Sequence, residues 1–206
     1  MFVMPAQLIL PHTFYQAIVA HARADFPNEA CGLLRGRDGC VSDILPARNV
    51  APNPRQDYQA DAQSLLQALR WEDEGDELIA IYHSHPTAPA YPSAVDAARA
   101  FYPDSVYLII SLQEPGAPQM NGYLLRPEAV LRGDAARSLQ LDIPFEQVRP
   151  GLWAYHLPAG APLLDRFPDA PSDDVAFYLV FEDNSGHKQP QVRLISVLPA
   201  PLTIQL

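Results

Sequence analysis

Apolar and polar positions fall into two periods along the chain. Gln7-Leu8-Ile9-Leu10 predicts a short strand. Pro11 and Thr13 open a helix through Phe14, Ile18 and Val19, which must end near Phe26-Pro27 because proline cannot continue the ladder. Residues 30–35 and 41–46 predict a hairpin about Arg37-Asp38-Gly39, and 47–55 a proline-punctuated loop. Asp61 can cap a helix with Leu65, Leu66 and Leu69 at helical spacing, stopped by Gly75. Residues 78–82 predict a buried strand, 93–101 a helix, 105–112 a strand, and 121–125 the last strand of the pattern.

Strands and helices thus alternate, which predicts a mixed α/β domain over residues 1–132. Beyond it the texture changes. Residues 144–206 hold nine prolines and no long helical period. Residues 175–181 and 192–198 are strand-like, separated by the turn-rich Asp183-Asn184-Ser185-Gly186-His187. The expectation is a small β-rich C-terminal extension that binds a partner, covers a cleft or mediates self-association into a homo-oligomer. Internal repeats, a P-loop and a GxGxxG signature are absent.

Composition narrows the function. The 206 residues are 48% hydrophobic and 18% charged, enough apolar content for a core, so global disorder is excluded. The 22 prolines lack a period and read as stiff turns between short elements. Net charge is −10, from 24 acidic and 14 basic residues, with Lys188 the single lysine. No basic stripe is available to neutralise phosphates, which argues against nucleic acid or an anionic membrane as partner.

The first 22 residues lack Asp, Glu, Lys and Arg, but Pro5, Gln7, Pro11, His12, Thr13, Gln16 and His21 interrupt the run. No basic segment precedes it, so a cytoplasmic chain is expected. In the predicted hairpin Cys31 would lie opposite Leu45, far from Cys40. The two are poor disulfide partners, in keeping with a reducing compartment.

The chemistry concentrates in Tyr82-His83-Ser84-His85-Pro86 and Tyr91-Pro92-Ser93-Ala94-Val95-Asp96. With a strand's period of two, His83 and His85 share one face and Ser84 takes the other. Pro86 ends the ladder, Ser93 starts a helix, and Asp96 lies in its first turn. Two imidazoles and a carboxylate are a ligand set for Zn²⁺ that leaves one tetrahedral position open, where bound water becomes acidic. Ser93-x-x-Asp96 alone reads as a capping box. The joint set of His, His, Pro, Ser and Asp arises by chance in about one chain in 10⁵ of this length, which favours the metal reading.

This pattern resembles the JAMM (MPN-plus) zinc metallopeptidase motif in each fixed position. The family's upstream glutamate is matched by Glu29 in Asn28-Glu29-Ala30-Cys31-Gly32-Leu33-Leu34. The resemblance covers about residues 1–130. It implies a cytidine-deaminase-like fold, a central mixed sheet flanked by helices. It is most similar to the short bacterial branch acting on ubiquitin-like sulfur-carrier proteins, including peptidases that free cysteine from such a carrier.

The resemblance implies that His83, His85 and Asp96 bind one Zn²⁺ per chain. Glu29 would hold the metal's water and shuttle its proton to the leaving amine, and Ser93 would donate to the oxyanion. The implied activity is cleavage of a peptide or isopeptide bond after the C-terminal diglycine of a ubiquitin-like protein. The alternative is a non-catalytic MPN interaction module in which zinc is structural and Cys31 supplies a fourth ligand. A DNA-repair relative with a similar His-x-His-Pro motif fits the charge poorly.

Several neighbours have plainer readings. Cys31, two residues after Glu29, is expected as a buried structural thiol. His12, His21, His156 and His187 lack ligand spacing and are expected at the surface or in turns. Trp71 with Glu72-Asp73-Glu74 reads as the solvated end of a helix. Tyr91 is placed at the rim of the cleft, where a substrate tail would pass.

Overall fold

The computed structural model of the chain describes residues 7–167, 174–183 and 189–206. His187 and most of the turn-rich 183–187 segment therefore lie outside the described residues.

The Asp38-Gly39 turn anchors the sheet. Strands β2 (Cys31–Arg37) and β3 (Cys40–Ala47) run antiparallel about it. Asp38 and Gly39 have φ of 51° and 77°, the left-handed pair that a two-residue turn requires. Gly39 is also constrained by packing: a β-carbon there would stand 2.4 Å from the Gln7 carbonyl oxygen. Cys31 lies opposite Ala47, and Leu33 opposite Leu45. The expected register is off by two. The turn centres between Asp38 and Gly39, and a bulge at Arg35/Gly36 adds a further residue. Both cysteines are free.

Two compact units account for the fold. The first holds the chain up to Tyr91, Asp104–Leu124 and Pro199–Leu206. It contains β1 (Leu8–Pro11), helix α1 (His12–Asp25), the hairpin, helix α2 (Ala62–Asp73), β4 (Glu77–His85) and β5 (Val106–Ser111). The start of β6 (Gln119–Arg132) and β11 (Leu202–Gln205) complete it. Strand order is β11-β1-β3-β2-β4-β5-β6. β4 is antiparallel to β2 and parallel to β5, so this is the mixed sheet with helices that the sequence predicts.

Helix α1 ends where Phe26-Pro27 demands, with Ile18, Val19 and Ala22 buried. Asp61 caps α2 as expected, accepting the amides of Gln63 (3.0 Å) and Ser64 (3.2 Å). The buried stripe of α2 is not the expected leucine face. Ser64, Ala68 and Trp71 are buried, whereas Leu66 and Leu69 are each 59% exposed. Trp71, expected in solvent, is 3% exposed, whereas Asp73 and Glu74 are exposed as expected. There Arg35 bridges Glu74 (2.8 Å) and Asp76. Arg35 lies on β2, so this ion pair ties the end of α2 to the sheet.

The second unit holds Pro92–Pro103 and Leu125–Leu198. Helix α3 (Ala94–Ala98) is shorter than the expected 93–101: it is capped at Arg99, and Phe101, beyond it, is 70% exposed. The rest of β6 is followed by α4 (Asp134–Asp142), β7 (Glu146–Arg149), β8 (Leu152–Leu157), β9 (Ala176–Glu182) and β10 (Gln191–Ala200). Strand order is β6-β10-β9-β8-β7. Its core joins Leu139 of α4 to Leu157, Phe177, Leu179, Phe181, Val192 and Leu194. No helix among the described residues is long and apolar enough to cross a membrane.

Candidate metal centre and catalytic site

β4 carries the two histidines as its period dictates. His83 and His85 face one side of the sheet, with their Nε2 atoms 3.1 Å apart, and both are buried. His85 Nδ1 lies 2.8 Å from the Pro89 carbonyl oxygen. A carbonyl only accepts, so Nδ1 carries the proton and Nε2 is the acceptor atom of the neutral ring.

The loop that follows is fixed at three successive carbonyls. Ser111 Oγ donates to Ala88 (2.6 Å), His85 to Pro89, and Asn121 Nδ2 (3.0 Å) and Tyr123 Oη (2.9 Å) both donate to Ala90. Tyr91 at its end packs edge-on to Tyr123. It lines a groove of about 620 Å³ with Met120, Pro199, Leu202 and Ile204.

Ser84 takes the opposite face, fully buried, and its Oγ accepts the Ala30 amide at 2.9 Å. On that same face Tyr82 reaches α1, its hydroxyl 2.8 Å from His21 Nδ1. His21 is thus half-buried at the surface rather than unpartnered there, and its other nitrogen lies 3.5 Å from Asp25. The Tyr82 ring crosses Gly32, where a β-carbon would fall 2.3 Å from it. Burial raises the Tyr82 hydroxyl well above its ordinary pKa, with Cys31 and Asp25 adding to the shift.

Glu29 is buried at the entrance to β2. Its amide donates to the Pro54 carbonyl (2.7 Å) and its carbonyl accepts from Asn49 Nδ2 (2.8 Å). Asn49 meets three more backbone groups: its Nδ2 donates to the Asp57 carbonyl, and its Oδ1 accepts from Ala51 and Gln59. The residues clasped on either side of Tyr58 aim that ring at His83, stacked at 4.3 Å and 17° between planes.

Asn49 and Tyr58 are the residues beside Glu29 and His83 that sequence reading missed. Their loop follows β3 and is dominated by prolines and turn formers, and the one available signal was an aromatic residue within it.

Cys31 stands opposite His83 across the β2–β4 pair. It is buried, as expected, with Sγ 3.8 Å from the Ala47 carbonyl. Burial, then the carboxylates of Asp25, Asp61 and Glu29, push its thiol up to about 12.

On α3, Ser93 and Asp96 form the capping box their spacing predicts. Ser93 Oγ accepts the Asp96 amide (3.2 Å), and Asp96 Oδ2 accepts the Ser93 amide (2.7 Å). Since Oγ acts as acceptor there, the Ser93 hydroxyl hydrogen is available to donate elsewhere.

His83, His85 and Asp96 are all buried, and each offers one ligand atom within 4.8 Å of the others. Tetrahedral zinc ligands about 2.0–2.1 Å from the ion stand about 3.3 Å apart, so the 3.1 Å between the histidine nitrogens suits the ion. Three neutral or anionic N and O donors match its preference as well. Cys31 is not part of this group, so among the described residues a closed four-ligand set is not found.

Three comparisons bear on this arrangement. Residues 11–122 match the family model described as prokaryotic homologues of the JAB domain. The chain is 36% identical over 126 residues to the CysO-cysteine peptidase of Mycobacterium tuberculosis, covering 60% of this chain and 86% of that protein. It is 41% identical over 104 residues to a desampylase of Haloferax volcanii, covering 46% and 73%. The solution structure of a protein from Desulfitobacterium hafniense superposes with a TM-score of 0.52 at 39% identity, covering 57% of this chain and 84% of that one.

Proposed function

The chain belongs to the family of prokaryotic homologues of the JAB domain, and on that premise we propose that it is a zinc-dependent hydrolase of ubiquitin-like or sulfur-carrier protein conjugates. The scissile bond is the peptide or isopeptide bond after the carrier's C-terminal diglycine. The observation that carries this reading is the buried group of His83, His85 and Asp96, which would hold the ion. Zinc bound there supplies Lewis acidity, acidifying water and polarising the carbonyl.

The protein's own groups do the rest. The Glu29 carboxylate takes a proton from the attacking water as its oxygen bonds to the carbonyl carbon. Ser93 Oγ donates its remaining hydrogen to the oxyanion, a contribution of about 3 kcal/mol for such donors. Glu29 then returns the proton to the leaving nitrogen as the C–N bond breaks, giving a carboxylic acid and an amine, which ionise to carboxylate and ammonium.

Glycines suit a narrow approach to the metal because they carry no β-carbon. The groove beside Tyr91 is where we place the carrier's tail. The names and identities of the relatives support a carrier conjugate as substrate. Two free cysteines support action in a reducing cytoplasm.

The test is cleavage of a ubiquitin-like carrier from the same organism, extended by one residue past its diglycine and followed by mass spectrometry with zinc quantified. Wild type should remove the extension, and Glu29→Gln should retain it while still binding one zinc. Turnover by a zinc-loaded Glu29→Gln variant would overturn the mechanism.

A further inference from the structure

The segment that bears Ser93 and Asp96 packs with the C-terminal strands. Pro92–Pro103 falls in the same compact unit as Leu125–Leu198. Two side chains of those strands hold it at its ends. Tyr178 of β9 donates its buried hydroxyl to the Pro92 carbonyl at 2.9 Å, one residue before Ser93. Arg193 of β10 donates Nη2 to the Ala98 carbonyl at 2.6 Å, at the last residue of α3.

Arg193 is itself aimed by Glu182, 3.3 Å from its Nε and at the end of β9. A guanidinium at the C-terminus of a helix also complements its partial negative charge. α3 is five residues long, too short to hold its shape without tertiary support. Its cap fixes the backbone at Ser93, and the two donors from β9 and β10 fix where that cap stands.

From these contacts we infer that Tyr178 and Arg193 are positioning residues for the site, and that the C-terminal strands serve the catalytic chemistry by holding α3. The inference rests on the reading of Ser93 and Asp96 as site residues given above. It assigns residues beyond the 11–122 span of the family match a part in the reaction. It also gives the extension a task distinct from partner binding, cleft covering or self-association.

The test uses the full chain with three variants, Tyr178→Phe, Arg193→Met and Arg193→Lys. Tyr178→Phe removes one oxygen and keeps the ring, so folding is preserved. Hydrogen exchange on zinc-free protein should be about tenfold faster across residues 93–99 in Tyr178→Phe and Arg193→Met, and unchanged in α1. Zinc affinity by chelator competition should weaken about tenfold, the scale for residues that orient ligands. kcat should fall while KM holds, and Arg193→Lys, which can still donate to Ala98, should recover most of each loss.

Unchanged exchange in residues 93–99 with wild-type zinc affinity would overturn the inference. So would exchange raised equally throughout the protein, which marks a structural role only. Because exchange is read without zinc or substrate, failure here is separable from failure of the hydrolase reading, which Glu29→Gln decides.

Discussion

Ser84 and Ala30 exchange two hydrogen bonds: Ser84 Oγ accepts the Ala30 amide at 2.9 Å, and the Ser84 amide donates to the Ala30 carbonyl at 2.9 Å. The residue between the two histidines thereby holds the residue next to Glu29. The contact extends the β2–β4 ladder one step past Cys31 and His83, its last paired residues.

Ser84→Ala leaves a buried amide without its acceptor, which costs about 1–3 kcal/mol. Urea unfolding should show that loss, and Ser84→Thr should recover much of it. Cleavage should slow in Ser84→Ala with zinc content unchanged, since the disturbance falls on the strand entrance that bears Glu29.

Tyr58 covers His83 by stacking. Tyr58→Ala should weaken zinc binding about tenfold in competition with a chromogenic chelator, and Tyr58→Phe should match wild type. Equal loss in both variants would locate the effect in the hydroxyl and contradict the stacking account.

The two thiols should differ in reactivity. Cys40 is exposed and Cys31 buried with its pKa raised to about 12. One equivalent of iodoacetamide should react with the native protein at pH 8, at Cys40, and two after denaturation. The sign of the stability effect follows from the raised value. The unfolded thiol loses its proton near pH 9.0 while the folded one keeps it to about 12. Its stabilising contribution is complete below pH 9 and is lost as pH rises from 9 to 12. Cys31→Ala should show a shallower alkaline decline in the urea midpoint over that window.

Much of the site was legible because its chemistry is local. The His-x-His pair is fixed by strand period, and Ser93-x-x-Asp96 by the geometry of a helix start; both formed as spacing predicts. The Asp38-Gly39 turn was legible because only left-handed backbone closes a two-residue hairpin. What failed depended on tertiary context. Leu66 and Leu69 repeat at helical spacing yet face solvent, since Ala68 and Trp71 turn the other stripe of α2 inward.

His21 carries no spacing signal, and Tyr82, 61 residues away, gives it a partner. Tyr58 reaches His83 only because Asn49 folds a loop whose turn formers show no period. The helix α4 and strand β8 are short elements whose apolar positions become a core only when assembled.

Gly32 and Tyr82 share one volume. The Tyr82 ring occupies the space a β-carbon at residue 32 would need, and its hydroxyl depends on that space to reach His21. A mutation at residue 32 alone forces the ring off its partner, and a smaller residue at 82 alone opens a hole in a core. Neutral drift can pass between such states only if both change nearly together. Related sequences should therefore pair glycine here with a large aromatic on β4, and pair any bulkier residue at 32 with a smaller one at 82.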